Sequence, residues 1–234
     1  MKCAIMQPTY LPWAGYFHLM STVDTFVFLD DVQFARRSWQ QRNRIVLQGR
    51  EAFLTVPVMS RGKQEQLIYD VVTDETQAWR QEHILKLRHA YGKHPYGNEI
   101  IHLIERCYQE SGSKLCELNI NIISAIKHAL HMNAKLLRSS ELSADGTKSA
   151  YLINICKSVG ASHYVSAPGS RQYIEEEALF AVEPLELSYH MFQPFLYPQR
   201  NATEFIPYMS IIDLISNVGF ERAREYLLES SHVS

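Results

Sequence analysis

The sequence predicts an α/β fold with a mostly parallel sheet at its core and a helical subdomain inserted into it. Three observations predict it. Two short apolar runs, Cys3 to Met6 and Thr25 to Leu29, flank a loop and an apolar segment, the pattern of parallel strands joined by a crossover. Residues 75–138 then change to apolar spacing of helical period. After residue 140, alternation of helix and strand returns. The expected division is an α/β core from 1–72 and 140–234, which carries a cleft, and a helical subdomain at 73–139.

Each element follows from local chemistry. The first run stops at Gln7-Pro8 and the second at Asp30-Asp31, so both strands end where polar groups cluster. In open α/β sheets, ligands bind beyond such ends. Arg44 to Leu47 and Phe53 to Val58 flank Gln48-Gly49 and read as a hairpin. In the helical stretch, Lys93 to Gly97 and Ser111 to Ser113 break the pattern into three helices. Lys148 to Ser158 is a helix closed by Gly160, and His163 to Ser166 is a strand. A helix runs from Arg171 to about Phe180, and Leu185 to Tyr189 is a further strand. Tyr197 to Pro207 is an aromatic-rich loop. Ser210 can cap a helix with Asp213 in its first turn, ended by Asn217 and Gly219. Glu221 to Leu228 is a terminal amphipathic helix.

Composition narrows the functional classes. The 234 residues are 46% hydrophobic with a formal net charge of −2, which gives no broad nucleic-acid footprint. Four cysteines without a CxxC pair argue against a thiolate zinc site and a disulfide framework, and a reducing cytoplasm is the expected compartment. No apolar run approaches the ~20 residues that span a bilayer, and the start lacks the pattern of a signal peptide. The histidines form no HExxH-type set.

Five constellations could carry chemistry. In Gln7 to Tyr16, two prolines stiffen the loop, Gly15 permits close backbone approach, and Gln7, Thr9, Tyr10 and Trp13 offer hydrogen bonds or ring faces. The alternative is a rigid aromatic turn. Asp30 and Asp31 precede Arg36, Arg42 and Asn43; such carboxylates can orient an amine or Mg²⁺, and guanidinium groups hold phosphates. A solvated charged loop is the competing reading. Gly146-Thr147-Lys148-Ser149 fails the full phosphate-loop pattern, but Lys148 stands near a helix start. Ser166 to Tyr173, with Gly169, Ser170 and Arg171, follows a strand and opens a helix, and could cradle an anion or be a capped turn. Tyr197 and Gln199 suit a sugar or nucleobase face, or simple loop packing. His18 and His190 are candidate acid/base groups.

Seven motifs in order resemble the WbqC-like protein family: QPTYLPWAGYF at 7–17, FLDDVQFARRSWQQRN at 28–43, FLTVPV at 53–58, GTKS at 146–149, HYVSAPGSRQYI at 163–174, YPQ at 197–199 and SIIDLISNVG at 210–219. Gln41 stands where the family pattern has Asn, Phe53 where it has Trp, and Ala167 where it has Gly. The resemblance implies an enzyme of bacterial surface-polysaccharide (O-antigen) biosynthesis. It would attach an amino acid such as glycine, or another acyl group, to the amine of a nucleotide-linked amino sugar. A glycosyltransferase, another sugar-nucleotide-modifying enzyme and a non-catalytic pathway partner are the alternatives.

Pro12 to Tyr16 occupies the place of His-x-Gly-His in nucleotidyltransferases and pantothenate-synthetase-like ligases, whose architecture the expected core resembles. That likeness implies ATP with Mg²⁺ as cofactor. Asp30, Asp31, Arg42 and His18 would then be catalytic. Gln7, Thr9, Tyr10, Trp13, Gly15, Arg36, Asn43, Lys148, Ser166, Gly169, Ser170, Arg171, Tyr197 and Gln199 would bind the cofactor. Trp13 and Tyr16 replace the histidines, which suits a preactivated acyl donor better than adenylation.

Overall fold

The computed structural model describes residues 1–63, 65–200 and 202–229. Asn201, in the expected aromatic loop, lies outside them.

Five strands form one sheet: β1 (Lys2–Met6), β2 (Thr25–Phe28), β5 (Lys135–Arg138), β6 (His163–Ser166) and β7 (Glu186–Tyr189). Their order is β5-β2-β1-β6-β7, and every neighbouring pair is parallel. β1 pairs with β2 from Cys3↔Thr25 to Met6↔Phe28. The strand direction and α/β class agree with the sequence reading. A separate antiparallel hairpin joins β3 (Arg42–Leu47) to β4 (Arg50–Thr55). Its turn residues, Gln48 and Gly49, have φ of 52° and 74°, the positive pair that a two-residue type I′ connection requires.

The helices are α1 (Ala14–Ser21), α2 (Trp79–Tyr91), α3 (Gly97–Glu110), α4 (Leu115–Ala129), α5 (Lys148–Ser158), α6 (Arg171–Glu177) and α7 (Ile211–Glu229). Alternating strand residues face opposite layers. Ala4, Phe26 and Phe28 pack in one core with residues of α1 to α4 and α7, while Cys3, Ile5 and Val27 pack in a second with α5 and α6. The sheet is thus covered on both faces, as a buried parallel sheet requires. All four cysteines are buried and free.

One strand differs in kind from the sequence reading. β5 falls within the stretch expected to be helical, yet it pairs with β2 from Thr25↔Lys135 to Phe28↔Arg138. A run as short as Lys135-Leu-Leu-Arg138 carries no period that separates strand from helix. As the sequence reading has it, two helices meet in α7: helical dihedrals break at Gly219 (φ 83°, ψ 170°), and the chain resumes a helix beyond it. A Cβ at Gly219 would lie 3.0 Å from the Tyr96 ring, so both backbone and packing require glycine there.

Among the described residues, no helix is long and apolar enough to cross a membrane.

Candidate functional site

The sheet opens at its centre. β1 pairs with β6 only at Lys2↔His163 and Cys3↔Tyr164, whereas β6 stays paired with β7 through Ser166↔Tyr189. The two central strands therefore part toward their carboxyl ends. This is also where the strand order reverses, the switch point at which open α/β sheets bind ligands. A cavity of about 370 Å³ occupies the opening, lined by Gln7, Ser38, Gln40, Gly169, Ser170 and Tyr173 among others. A second, of about 310 Å³, adjoins it and is walled by Trp13, Tyr16, Asn43, Arg44 and Tyr208. Met6, Thr9 and Trp39 line both.

Buried amides hold the walls in place. Asn119, fully buried on α4, donates to Pro8 O at 3.1 Å and to Gln40 O at 2.8 Å, tying two loops together. Gln40 Nε2 donates to Gln7 Oε1 at 2.8 Å. The Tyr10 amide donates to Trp39 O at 2.9 Å, and Asn43 Nδ2 to Tyr10 O at 3.1 Å. On the far wall, the Ser210 amide donates to Arg44 O and Ile211 to Pro12 O. Arg44 Nη2 donates to Tyr208 O at 3.2 Å. Tyr208 sits at φ 61°, a conformation a non-glycine residue holds only when its surroundings enforce it. At the rim, Trp39 and Phe53 are each about half exposed and stack at 6.3 Å. The Arg42 and Arg44 guanidinium groups lie over Phe53 and Trp39 at 4.7 and 5.5 Å.

Residues 7–225, most of the chain and nearly all of this architecture, match the model of the WbqC-like protein family. The chain belongs to that family. It is also 33% identical over 227 residues, 97% of each chain, to Rv1507c, an uncharacterized protein of Mycobacterium tuberculosis. No solved structure matches it.

In this WbqC-like chain, the geometry sorts the residues singled out by sequence. Gln7, Thr9, Trp13, Asn43, Gly169 and Ser170 line the two cavities. Arg42 stands at the rim over Phe53, and Arg36 is exposed on the loop before β3.

Others turn away. Asp30 is fully buried and accepts from Arg138 Nε at 2.7 Å, from the Ser140 amide at 3.0 Å and from Ser140 Oγ at 2.9 Å. Asp31 accepts from Ser139 Oγ at 2.5 Å and from the Tyr151 hydroxyl. Neither carboxylate lines a cavity of the crevice, because the neighbouring β5 end supplies donors that hold both. Tyr10 is fully buried, its hydroxyl between His83 Nδ1 and the Tyr108 hydroxyl rather than in the cleft. Gly15 lies under the Trp13 indole.

His18 is buried against His190, with Nδ1 to Nε2 at 2.5 Å, and burial lowers both imidazoles to about 4. The Ser166 hydroxyl is buried and donates to Ala167 O at 3.3 Å. Lys148 pairs with Glu177 at 3.3 Å and Arg171 with Glu175 at 2.8 Å. Tyr197 and Gln199 donate to the buried Asp213 at 2.7 and 2.8 Å, so they anchor their loop on α7. Burial raises the Asp213 pKa, against the pull of those donors.

Arg44 is the one cation among the residues that line the two cavities, and Asp30 and Asp31 do not face them. These residues do not fit a magnesium-bound triphosphate, which needs several cations and a free carboxylate. Among the described residues, no three His, Cys, Asp or Glu side chains form a metal-ligating set.

Sequence reasoning gave no role to Gln40, Tyr208, Asn119 or Arg138, whereas Tyr173, which ends the stretch singled out from Ser166, lines the opening with Gly169 and Ser170. Tyr208 sat next to a singled-out motif and could have been found by treating flanking aromatics as wall residues. Asn119 and Arg138 carry no local signal.

Proposed function

We propose that this protein holds a nucleotide-linked amino sugar across the two adjoining cavities and acylates its amine. One observation carries the reading: an aromatic-walled cavity and a cavity in which Gln7, Ser38, Gln40 and Ser170 stand among apolar side chains meet at Met6, Thr9 and Trp39, at the parting of β1 and β6. A planar base and a polyol joined by a linker match that pair of chemistries. The cavity of about 370 Å³, whose lining residues carry no charge, suits attack by an uncharged amine on the carbonyl carbon of a preactivated donor. The C–N bond forms as the carbonyl's bond to the leaving group breaks; the leaving group departs with that electron pair and takes up the proton the amine loses. Catalysis in this reading rests on positioning, with Gln7, Thr9 and Ser170 orienting the sugar.

Glycosyl transfer through a metal at Asp30 and Asp31 is less well supported. It would have to free both carboxylates from Arg138, Ser139, Ser140 and Tyr151.

The test is a thermal-shift series with UDP-glucosamine, followed by mass spectrometry of the nucleotide sugar after incubation with acyl thioesters. A ligand that binds the native state raises the melting point. The expected result is such a rise, with a product heavier by one acyl group. If no nucleotide-linked sugar shifts the transition, the proposal fails.

A further inference from the structure

We infer that the ligand of the crevice carries its negative charge where the two cavities meet, held by the guanidinium groups of Arg44 and Arg42. The inference rests on the reading of the crevice as the site of a nucleotide-linked sugar, and it deepens that reading by giving the diphosphate a place.

Arg44 lines the aromatic cavity with its hydrogen-bonding capacity only partly used. Nη1 donates to Glu51 at 3.2 Å and Nη2 to Tyr208 O at 3.2 Å, but Nε is buried without a partner among the described residues. Burial withholds solvent from that donor and no protein acceptor replaces it, a state that calls for a physical reason. An acceptor oxygen of a ligand supplies what is missing. Glu51 is 44% exposed, and an ion pair so open to solvent holds its members weakly. The guanidinium can therefore turn its Nε edge to a phosphate at little cost.

Arg42 stands two residues back on β3, on the same face of the hairpin. No hydrogen bond or ion pair among the described residues engages its side chain, which lies on the Phe53 ring at 4.7 Å. A guanidinium stacked on a ring keeps its N–H edge free for a phosphate. Phe53 stacks on Trp39 at 6.3 Å and Arg44 lies over Trp39 at 5.5 Å, so the two rings set both cations along one edge of the crevice.

Trp39 fixes where that edge lies. It lines both cavities, so the guanidinium over its ring stands beside their junction. Apart from Arg44, the residues lining the two cavities carry no charge. A base in the aromatic cavity and a sugar in the other put the linking diphosphate at this junction, where it meets the two cations instead of an uncharged wall.

The experiment is isothermal titration of the full chain with uridine, UDP and UDP-glucosamine, in EDTA so that no adventitious cation shares the charge. It compares the natural protein with Arg42→Ala, Arg44→Gln and Arg44→Lys, each checked for an unchanged unfolding transition. UDP is expected to bind about tenfold tighter than uridine or better. Arg42→Ala and Arg44→Gln are each expected to cut that advantage to about threefold or less and to leave uridine unchanged. Arg44→Lys keeps the charge but loses Nε, and is expected to bind UDP about threefold more weakly than the natural protein. The inference is overturned if UDP-glucosamine binds while UDP has no advantage over uridine, or if the advantage survives in Arg42→Ala or Arg44→Gln. Full UDP affinity in Arg44→Lys overturns the part given to Nε. Should the Arg44 variants unfold, Arg42→Ala decides alone, because it breaks no hydrogen bond. If UDP-glucosamine does not bind the natural protein, the proposed function itself falls.

Discussion

The indole of Trp13 lies across Gly15, so close that a Cβ there would come within 2.2 Å of the ring. Gly15 is the second residue of α1, where glycine costs up to about 1 kcal/mol against alanine. The packing of the indole explains it. Trp13 can fold back over its own helix only where no side chain stands, and from there it forms the back wall of the aromatic cavity.

Gly15→Ala is therefore expected to destabilise the protein by about 1–3 kcal/mol, the usual cost of overpacking, and to displace Trp13. Urea unfolding followed by tryptophan fluorescence reads both. An alanine variant with the natural stability and emission spectrum would show that the indole is free to move.

The buried Asp30 depends on Arg138, whose Nε lies 2.7 Å away and whose Nη1 also reaches Glu117 at 2.6 Å. Arg138→Ala leaves a fully buried carboxylate with Ser139, Ser140 and the weakly donating Cys116 thiol as partners. Removing one partner of a buried pair costs about 3–5 kcal/mol. The lower end is expected here because Arg138 itself is about one-fifth exposed. Chemical denaturation measures the loss. Nucleotide affinity per folded molecule should stay as it was; lost binding at unchanged stability would return the carboxylates to the site.

This pair also shows why the sequence revealed the frame better than the site. β1, β6, α5 and the Gln48-Gly49 turn were legible because apolar period, glycine placement and short polar breaks are local signals. Asp30 was visible as an acid at a strand end, but its partners sit 108 to 110 residues away on β5 and the turn after it. β5 itself has no periodic signature. His18 looked like an acid/base candidate since nothing in the local sequence places His190, 172 residues on, against its ring. Gln7, Thr9 and Trp13 were found because the prolines around them mark a rigid loop, whereas Gln40 gains its role only by meeting Gln7 in space.

Asn119 links the two loops of the crevice from beneath. Asn119→Ala removes both bonds and strands the buried carbonyls of Pro8 and Gln40. Each unsatisfied group costs about 1–3 kcal/mol, so a loss of roughly 2–4 kcal/mol is expected by denaturation. Both loops carry lining residues, so UDP-sugar affinity should fall as well, through Gln7 and Trp39 moving apart. A variant that loses stability but binds normally would limit Asn119 to a packing role.

The contact between His18 and His190 makes stability depend on pH. Burial is the main cause that lowers each imidazole from 6.5 to about 4, and for His190 the neighbouring His18 adds to it. As pH falls through 6.5 the unfolded chain takes up a proton at each site, while the folded chain does so only near 4. The contribution is thus fully present above the unfolded value and is lost as pH drops toward the folded one. Linkage makes it a few kcal/mol for such a buried histidine. His83, also lowered to about 4 by burial, contributes in the same window. His190→Gln keeps a hydrogen-bonding partner for His18 but removes one titrating group. Its urea midpoint should decline less steeply between pH 6.5 and 4 than that of the natural protein. Equal slopes would mean that His190 takes up its proton at the same pH in the folded and the unfolded chain, so that its burial against His18 does not govern its titration.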